Sequence, residues 1–314
     1  MANHIRPATV LDILALNRPR YAEMQLDLAR AVLFPHQPGP AMLPWARPSV
    51  YTLLVRGDGG LRASVQARVG RDNSAWDVAH LGAWQPQAEE DWPGLLAALG
   101  TTAGRQGVLR LLAAVPDEEH LELFRRVGFT PFAEESILVY ESKAPAAVPS
   151  AAVRSLQPDD LWAVQRLYNA LTPPLVQQAE GRRPLESEPD KEAWLWPGDN
   201  GLCACLQRQH SLHGSRLGLL VDPACRQHAP ALLGYGLTGA TRPVYLVLRS
   251  YQGELLEVAR RVGFRPYAEQ VLLVKHLAVP EPLRQSVPAR PAERALGAAP
   301  SAPSVGQACA KSGE

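Results

Sequence analysis

The chain has 314 residues, of which 46% are hydrophobic, and its formal net charge is +1 at pH 7. This length predicts about two domains, and the apolar content is sufficient for two cores. The balanced charge argues against binding to nucleic acid or to a membrane surface, and no apolar run approaches the roughly 18 residues that a membrane helix needs.

Apolar spacing and turn residues predict short helices and strands through the first half. In chain order they are an extended segment at His4–Ala8, helices at Thr9–Asn17 and Tyr21–Leu33, strands at Val50–Arg56, Leu61–Val69 and Trp76–Trp84, a helix at Pro93–Thr101 and a strand at Val108–Val115. The proline-rich segment Phe34–Pro48 predicts a loop, and Gly57-Asp58-Gly59-Gly60 is typical of a hairpin turn.

One phrase of sequence occurs twice. Residues 123–140 read LFRRVGFTPFAEESILVY, residues 258–275 read VARRVGFRPYAEQVLLVK, and the two align without a gap. Each copy predicts a helix that ends at a glycine in the left-handed conformation, Gly128 or Gly263, followed by a strand. A repeat of this length indicates that one fold occurs twice in the chain.

The second half repeats the order of the first. Its predicted elements are a strand at Val153–Leu156, a helix at Leu161–Leu171, a polar region with a helix inside it at Thr172–Pro197, strands at Leu202–Gln209 and Arg216–Val221, a helix at Pro230–Thr238 and a strand at Val244–Arg249. Residues 142–152 have the composition of a linker, and residues 279–314 that of a disordered tail.

This order of elements, with a helix ending in Gly-Phe in each half, resembles the GNAT (Gcn5-related N-acetyltransferase) superfamily. The resemblance covers about residues 4–141 and 153–278. It implies an α+β fold of two tandem domains, residues 1–141 and 153–278, each a mixed and mostly antiparallel sheet flanked by helices. In that superfamily acyl-CoA lies where the sheet splays, and the acyl group passes to an amine. The resemblance therefore implies acetyl-CoA as co-substrate and no metal.

The resemblance places a pyrophosphate-binding loop in the second half, between a strand and a helix start, where backbone N–H groups can approach phosphate oxygens. Arg226 stands at the first position of this loop and Ala231 at the last, whereas Ala229 replaces a glycine and Pro230 removes one N–H. The strand that ends at Val221 is expected to pair with pantetheine. The expected cofactor-binding residues are Val221, Asp222, Arg226, Gln227, His228, Ala229 and Ala231.

The corresponding loop of the first half is acidic. Glu89, Glu90 and Asp91 precede Trp92 where the cradle of small residues is expected. Negative charge beside a pyrophosphate is repulsive. The first half is therefore not expected to bind CoA in the family manner.

Neither half carries the tyrosine that often protonates the leaving thiolate in this family. Phe124 and Ala259 occupy that position, four residues before each Gly-Phe glycine, and the family's asparagine corresponds to Asp117 and Gln252. Tyr251 lies beside Gln252 and is interpreted as a packing residue rather than a displaced acid.

Asp77 and His80 are candidate bases on one strand of the first half. Their odd spacing places them on opposite faces of a regular strand, and a lone strand histidine is more often structural. The corresponding strand of the second half offers no candidate before Asp222. The catalytic residues are left unassigned.

The cysteines and histidines of the second half are interpreted as structural. Cys203 and Cys205 share one face of a strand and do not pair readily, and the four cysteines resemble neither a disulfide framework nor a zinc pattern. His210 and His213 supply too few ligands for a metal. A reduced, cytoplasmic protein is the resulting expectation.

Two further groups of side chains have structural and functional interpretations. The doublets Arg125-Arg126 and Arg260-Arg261 are assigned to solvated helix faces rather than to phosphate contacts. Trp194 and Trp196 either wall an acceptor pocket or pack under the sheet, and the sequence favours neither.

Two functions follow from the sequence. The first is an acyl-CoA-dependent N-acetyltransferase, with weakened catalysis, that acts on a small-molecule or peptide amine and binds neither nucleic acid nor membrane. The alternative is a non-catalytic GNAT-like module that binds a ligand or a partner. The acceptor and the oligomeric state are not indicated by the sequence.

Overall fold

The computed structural model describes residues 4–33, 50–57, 59–70, 74–116, 118–142, 152–181, 191–198 and 201–278. The predicted loop Phe34–Pro48, most of the linker, the tail and Asp117 lie outside the described residues. The strands are β1 (His4–Pro7), β2 (Ala22–Gln25), β3 (Val50–Gly57), β4 (Gly60–Val69), β5 (Ala75–Ala83), β6 (Arg110–Val115), β7 (Thr130–Tyr140), β8 (Arg154–Ser155), β9 (Lys191–Gly198), β10 (Gly201–Ser211), β11 (Gly214–Val221), β12 (Val244–Arg249) and β13 (Arg265–His276). The helices are α1 (Ile13–Leu16), α2 (Leu28–Leu33), α3 (Trp92–Arg105), α4 (Glu118–Arg126), α5 (Leu161–Leu171), α6 (Pro174–Glu180), α7 (Ala229–Leu237) and α8 (Glu254–Val262).

These strands form one continuous sheet. Their order is β1-β3-β4-β5-β6-β13-β7-β12-β11-β10-β9-β8, with β2 attached to β5. Within the described residues, β5–β6 and β11–β12 pair in parallel and the other neighbours are antiparallel. The predicted α+β class, with two similar halves in tandem, is confirmed.

The two halves exchange their last strands. β13, from the second half, lies between β6 and β7, with Val271 opposite Val115. β7, from the first half, pairs with β12, with Ile137 opposite Val247. Each half-sheet is thus completed by the other half, a feature that the predicted boundaries at residues 141 and 153 do not convey. Those boundaries stay a prediction.

The repeated phrase builds the core of each half. Gly128 and Gly263 end their helices with φ of 88° and 107°, the left-handed conformation that glycine adopts without strain. Phe124 and Phe129 are buried and pack edge to face, with ring centroids 5.2 Å apart. In the second half, Phe264 packs against Tyr140, which arrives on the exchanged strand β7.

The sheet carries helices on both faces. The cores around α3 and α4, and around α7 and α8, lie on one face. On the other face, α2 packs on β7 and β12, and α5 packs on β9 and β10. A cavity lies on this second face, and its walls come from both halves.

The structure departs from the predicted elements at two places. The predicted helix Tyr21–Leu33 is a strand, β2, followed by the shorter helix α2, because the free edge of β5 offers backbone partners that outweigh local helix propensity. The region predicted to be polar with a helix inside it contains α6, and also β9, which carries both tryptophans.

Candidate functional site

Each half contains one parallel strand pair that begins together and then separates. β5 and β6 pair from Ala75 to Asp77, and β11 and β12 pair from Ser215 to Gly218. Beyond these points the strands diverge, which leaves backbone groups in need of other partners. We call the gap between β5 and β6 the first opening and the gap between β11 and β12 the second opening.

The chain itself fills the first opening. β2 pairs with β5 from Ala22 opposite Ala83 to Gln25 opposite His80. The Leu26 N–H then donates to the Ala79 carbonyl at 3.1 Å, and the Asp27 N–H donates to the Ala114 carbonyl of β6 at 3.0 Å. The segment therefore bridges the diverging strands. It occupies backbone groups of β5 and β6 with which a pantetheine chain would have to form hydrogen bonds.

The loop beside the first opening is closed by its own side chains. Asp91 forms an ion pair with Arg62 at 2.9 Å, and the buried Trp92 donates from its indole N–H to the Gly82 carbonyl at 3.3 Å. Acidic residues and a bulky ring thus occupy the start of α3, where backbone N–H groups would face a phosphate. The expectation that the first half does not bind CoA in the manner implied by the resemblance stays a prediction.

The second opening differs from the first. No described strand pairs with β11 beyond Gly218 on the β12 side. Gln252 crosses this opening: its side-chain amide donates to the Leu219 carbonyl at 2.6 Å and accepts from the Arg249 N–H at 3.0 Å. One glutamine side chain therefore spans the opening that a complete strand fills in the first half.

The predicted cofactor-binding residues lie together at the outer end of the second opening. Val221 is the last residue of β11, and Asp222 caps the following segment by accepting from the Ala224 N–H at 2.9 Å. Arg226 forms an ion pair with Glu254 at the start of α8. Ala229 begins α7 and is buried.

The other predicted cofactor residues are more exposed. The Gln227 side chain contacts His228 at 3.2 Å, and the His228 ring stacks on Trp196 with centroids 4.4 Å apart. Ala231 is half-buried in the first turn of α7. Trp196 therefore stands beside the loop, whereas Trp194 is buried against Tyr235.

A disulfide joins this loop to the sheet. Cys203 of β10 is bonded to Cys225, with a Cα–Cα distance of 5.7 Å. The expectation that all cysteines are reduced and unpaired is therefore wrong for this pair. Cys205 is the near neighbour of Cys203 on its own strand, whereas the disulfide partner Cys225 lies 22 residues further on, past the next strand. A cross-link over this separation stabilises a fold by about 3 kcal/mol in the chain-entropy model and holds the segment beside Arg226 against β10.

Cys205 is a poor candidate for a nucleophile. It is buried against α5, and burial raises the pKa of its thiol to about 12. A thiol with this pKa is protonated at neutral pH. The structural interpretation of Cys205 therefore stands.

The two candidate bases of the first half are separated. Asp77 lies on the wall of the cavity, 3.7 Å from the Arg30 guanidinium. His80 is buried beside β2, and this burial, reinforced by the charge of Arg20, lowers its pKa to about 3. His80 is neutral at physiological pH and has a structural position in the first opening.

The cavity has a volume of about 530 Å³, which is within the usual range for a small-molecule site. It reaches the second opening at Leu219, Arg249 and Tyr251. Tyr251, interpreted from the sequence as a packing residue, lies on the cavity wall, and burial raises the pKa of its hydroxyl. A tyrosine in this state is a protonated donor at neutral pH.

One end of the cavity holds a partly buried ionic cluster that the sequence does not indicate. The Arg249 guanidinium lies 2.6 Å from Glu135 and 2.6 Å from Glu180. The Tyr168 hydroxyl donates to Glu180 at 3.4 Å, and burial and the Glu180 charge raise the pKa of that hydroxyl. These residues are far apart in the chain, so no local motif marks them.

Within the described residues, no group of three or more His, Cys, Asp or Glu side chains has the arrangement of a metal site. No helix in the described part of the chain is long and apolar enough to cross a membrane.

Comparison with known proteins gives structural matches. No protein-family model and no curated protein matches the chain. A GCN5-related N-acetyltransferase from Sphaerobacter thermophilus has a similar structure, with a TM-score of 0.52 and 16% identity over 87% of this chain and 95% of that chain. A tandem GNAT protein from the clavulanic acid biosynthesis pathway gives 0.51 and 15% over 90% and 100%. A putative acetyltransferase from Pyrococcus horikoshii gives 0.50 and 13% over 89% and 91%. At these identities the similarity is one of fold.

Proposed function

Because the chain has the tandem GNAT fold, we propose that it is an N-acyltransferase that moves an acetyl group from acetyl-CoA to an amine, with the cofactor in the second opening. The observation that carries this proposal is the difference between the two openings. A strand fills the first opening, whereas the cavity reaches the exposed edge of β11 in the second.

In this proposal pantetheine pairs with the backbone of β11 at Leu219 and Val221. The direction of the backbone groups along β11 supports this. In the antiparallel β10–β11 pair, successive residues of β11 direct their N–H and C=O groups alternately toward β10 and away from it. Because the Asp222 N–H donates to the Cys203 carbonyl of β10, the backbone groups of the neighbouring Val221 point away from β10, into the second opening. The pyrophosphate would lie at the start of α7, with Arg226 drawn from Glu254 to its oxygens.

The chemistry needs a proton at the departing sulfur. The amine nitrogen bonds to the thioester carbon, the carbon–sulfur bond breaks, and the thiolate takes a proton. We assign this proton to the Tyr251 hydroxyl, which then recovers the proton lost by the amine. The family's tyrosine position is unavailable, because Phe124 and Ala259 there are both buried in the cores.

We expect Tyr251→Phe to lower kcat for acetyl transfer by about 100-fold, the lower range for loss of a general acid, with acetyl-CoA binding unchanged. The matched control is Tyr245→Phe, because burial also raises the pKa of Tyr245 but its ring packs on Tyr267 outside the cavity walls. Steady-state kinetics on both variants make the comparison. An equal decrease of kcat in the two variants would show that Tyr251 is not the general acid.

The location of the cofactor is tested by thermal melting with acetyl-CoA. A ligand at 100 times its Kd stabilises the folded state by about 2.7 kcal/mol, so we expect a clear rise in Tm. Arg226→Glu should abolish the rise, because it places a carboxylate beside the phosphates, whereas Glu89→Lys in the first half should leave it intact. The reverse pattern would move the cofactor to the first half, and no shift at millimolar acetyl-CoA would refute the proposal.

A non-catalytic binding module is the second candidate. It is favoured by Gln252, whose bond to the Leu219 carbonyl occupies a backbone acceptor that pantetheine would use. This candidate predicts that a ligand binds in the cavity. It also predicts that no amine causes the release of CoA thiol from acetyl-CoA. A small-molecule or peptide acceptor belongs to the proposal, whereas the Cys203–Cys225 disulfide removes the ground on which a cytoplasmic location was expected.

A further inference from the structure

We infer that the cavity takes a small zwitterion, a molecule of amino-acid or dipeptide size that carries its reactive amine and a carboxylate together. This inference rests on the proposed acyl transfer, because it names the acceptor class of that same site. The grounds are two oppositely charged ends of one cavity, which we call the arginine end (Asp27, Arg30, Arg68, Asp77 and Arg216) and the acidic end (Glu135, Glu180 and Arg249).

The arginine end has an excess of positive charge. Three guanidinium groups from α2, β4 and β11 meet two carboxylates there. Burial would raise the pKa of Asp27, yet the charges of Arg216, Arg68 and Arg30 together hold it below its ordinary value. The two halves both contribute, since β4 belongs to the first and β11 to the second.

Arg68 and Arg216 have capacity for a ligand. Neither Arg68 nor Arg216 forms an ion pair within the described part of the chain. Within the same residues, the Nη1 atom of Arg68 is buried without a hydrogen-bond partner. A buried donor in this state is destabilising until it meets an acceptor. A carboxylate suits this position, because guanidinium groups bind its two oxygens in parallel.

The acidic end has the opposite excess. Among the described residues, Glu135 and Glu180 both form ion pairs with Arg249, and Glu135 also accepts from Gln270 at 2.9 Å. This end adjoins the second opening, because the Arg249 backbone bonds to Gln252, which spans that opening. An ammonium group attracted to this end would lie beside the place proposed for the thioester.

A single side chain connects the two ends. Gln270 of β13 accepts from the Leu28 N–H, next to Asp27, at 3.1 Å and donates to Glu135 at 2.9 Å. The ends are therefore separated by one glutamine amide and two hydrogen bonds. Both charges of an amino acid or dipeptide fit this span.

Matched acceptors test this inference. With acetyl-CoA as donor, release of CoA thiol is measured for each L-amino acid and for a set of dipeptides, each beside its carboxamide. A site built around a carboxylate rejects the analogue that lacks it. We expect kcat/KM for the best carboxylate to exceed that of its carboxamide by about 100-fold or more.

Variants locate the carboxylate. Arg68→Gln and Arg216→Gln should each raise KM for the best carboxylate by about 10- to 100-fold, the factor for a lost charge-assisted hydrogen bond, and leave the carboxamide unaffected. Arg125→Gln, on the exposed face of α4, is the matched control and should change neither. The rise in Tm with acetyl-CoA checks that each variant is folded.

The outcomes separate the inference from its premise. Equal transfer to carboxylates and carboxamides would refute the zwitterion while the acyltransferase stands. If Arg68→Gln loses transfer to both acceptors while it still binds acetyl-CoA, Arg68 has a structural role in the site and does not bind the carboxylate. That result would also refute the inference. Absence of acetyl-CoA binding in the unchanged protein would refute the premise, and the inference with it.

Discussion

Residues 1–141 expressed alone are expected not to fold as a monomer, and the same result is expected for residues 153–278. The reason is the strand exchange. Without β13 the first half loses the strand between β6 and β7, together with the buried Leu273 of its own core. Without β7 the second half loses Leu138 and Tyr140 from its core and the partner of β12.

The measurement is urea unfolding, together with sedimentation, of each half and of their mixture. Each half alone should lack a cooperative transition at the size of a monomer, and the mixture should recover one as a 1:1 complex. The intact chain is the control and should unfold in one transition, because the exchanged strands couple both cores. A monomeric half with its own cooperative transition would contradict this prediction.

Arg249→Met is expected to lower the free energy of unfolding by about 3–5 kcal/mol. The substitution removes the cation that pairs with both Glu135 and Glu180 and leaves two carboxylates without it, of which Glu135 is almost fully buried. Breaking a buried ion pair from one side has a large effect because the remaining charge keeps its desolvation penalty. Urea denaturation of the variant beside the unchanged protein measures it.

A surface pair provides the control. Arg126→Met breaks a pair with Glu122 whose side chains are 71% and 57% exposed, so less than about 1 kcal/mol should be lost. Adding Glu135→Gln to Arg249→Met should restore part of the lost free energy of unfolding, because it removes one of the two carboxylates left without a counter-charge. A loss below 1 kcal/mol for Arg249→Met alone would show that the cluster is well solvated.

The parts of the fold that the sequence predicted are those set by local chemistry. The repeated phrase indicated two copies of one fold, and Gly128 and Gly263 indicated where two helices end. These signals are strong because a helix that ends in the left-handed conformation favours glycine at that position, and this preference depends only on the few residues around the helix end. The α+β tandem fold was implied by the resemblance of this order of elements to the GNAT superfamily.

The misassigned segments are those whose partners lie far away in the chain. Tyr21–Leu33 has helical spacing, but β2 forms because the diverging edge of β5, nearly 60 residues later, needs backbone partners. Cys203 has Cys205 as a neighbour on its own strand, but its disulfide partner Cys225 is on the loop after the next strand. Neither partner leaves a mark in the local pattern.

The sequence by itself determined that one fold occurs twice and which helices end at glycine. The tertiary structure alone decided that β2 fills the first opening and that the halves exchange β7 and β13. It also brought Arg68, Arg216, Glu135 and Arg249 to one cavity. The physical reason is that caps and loops are satisfied by neighbours in the chain, whereas sheet edges, buried charges and cavities are satisfied by residues that only folding brings together.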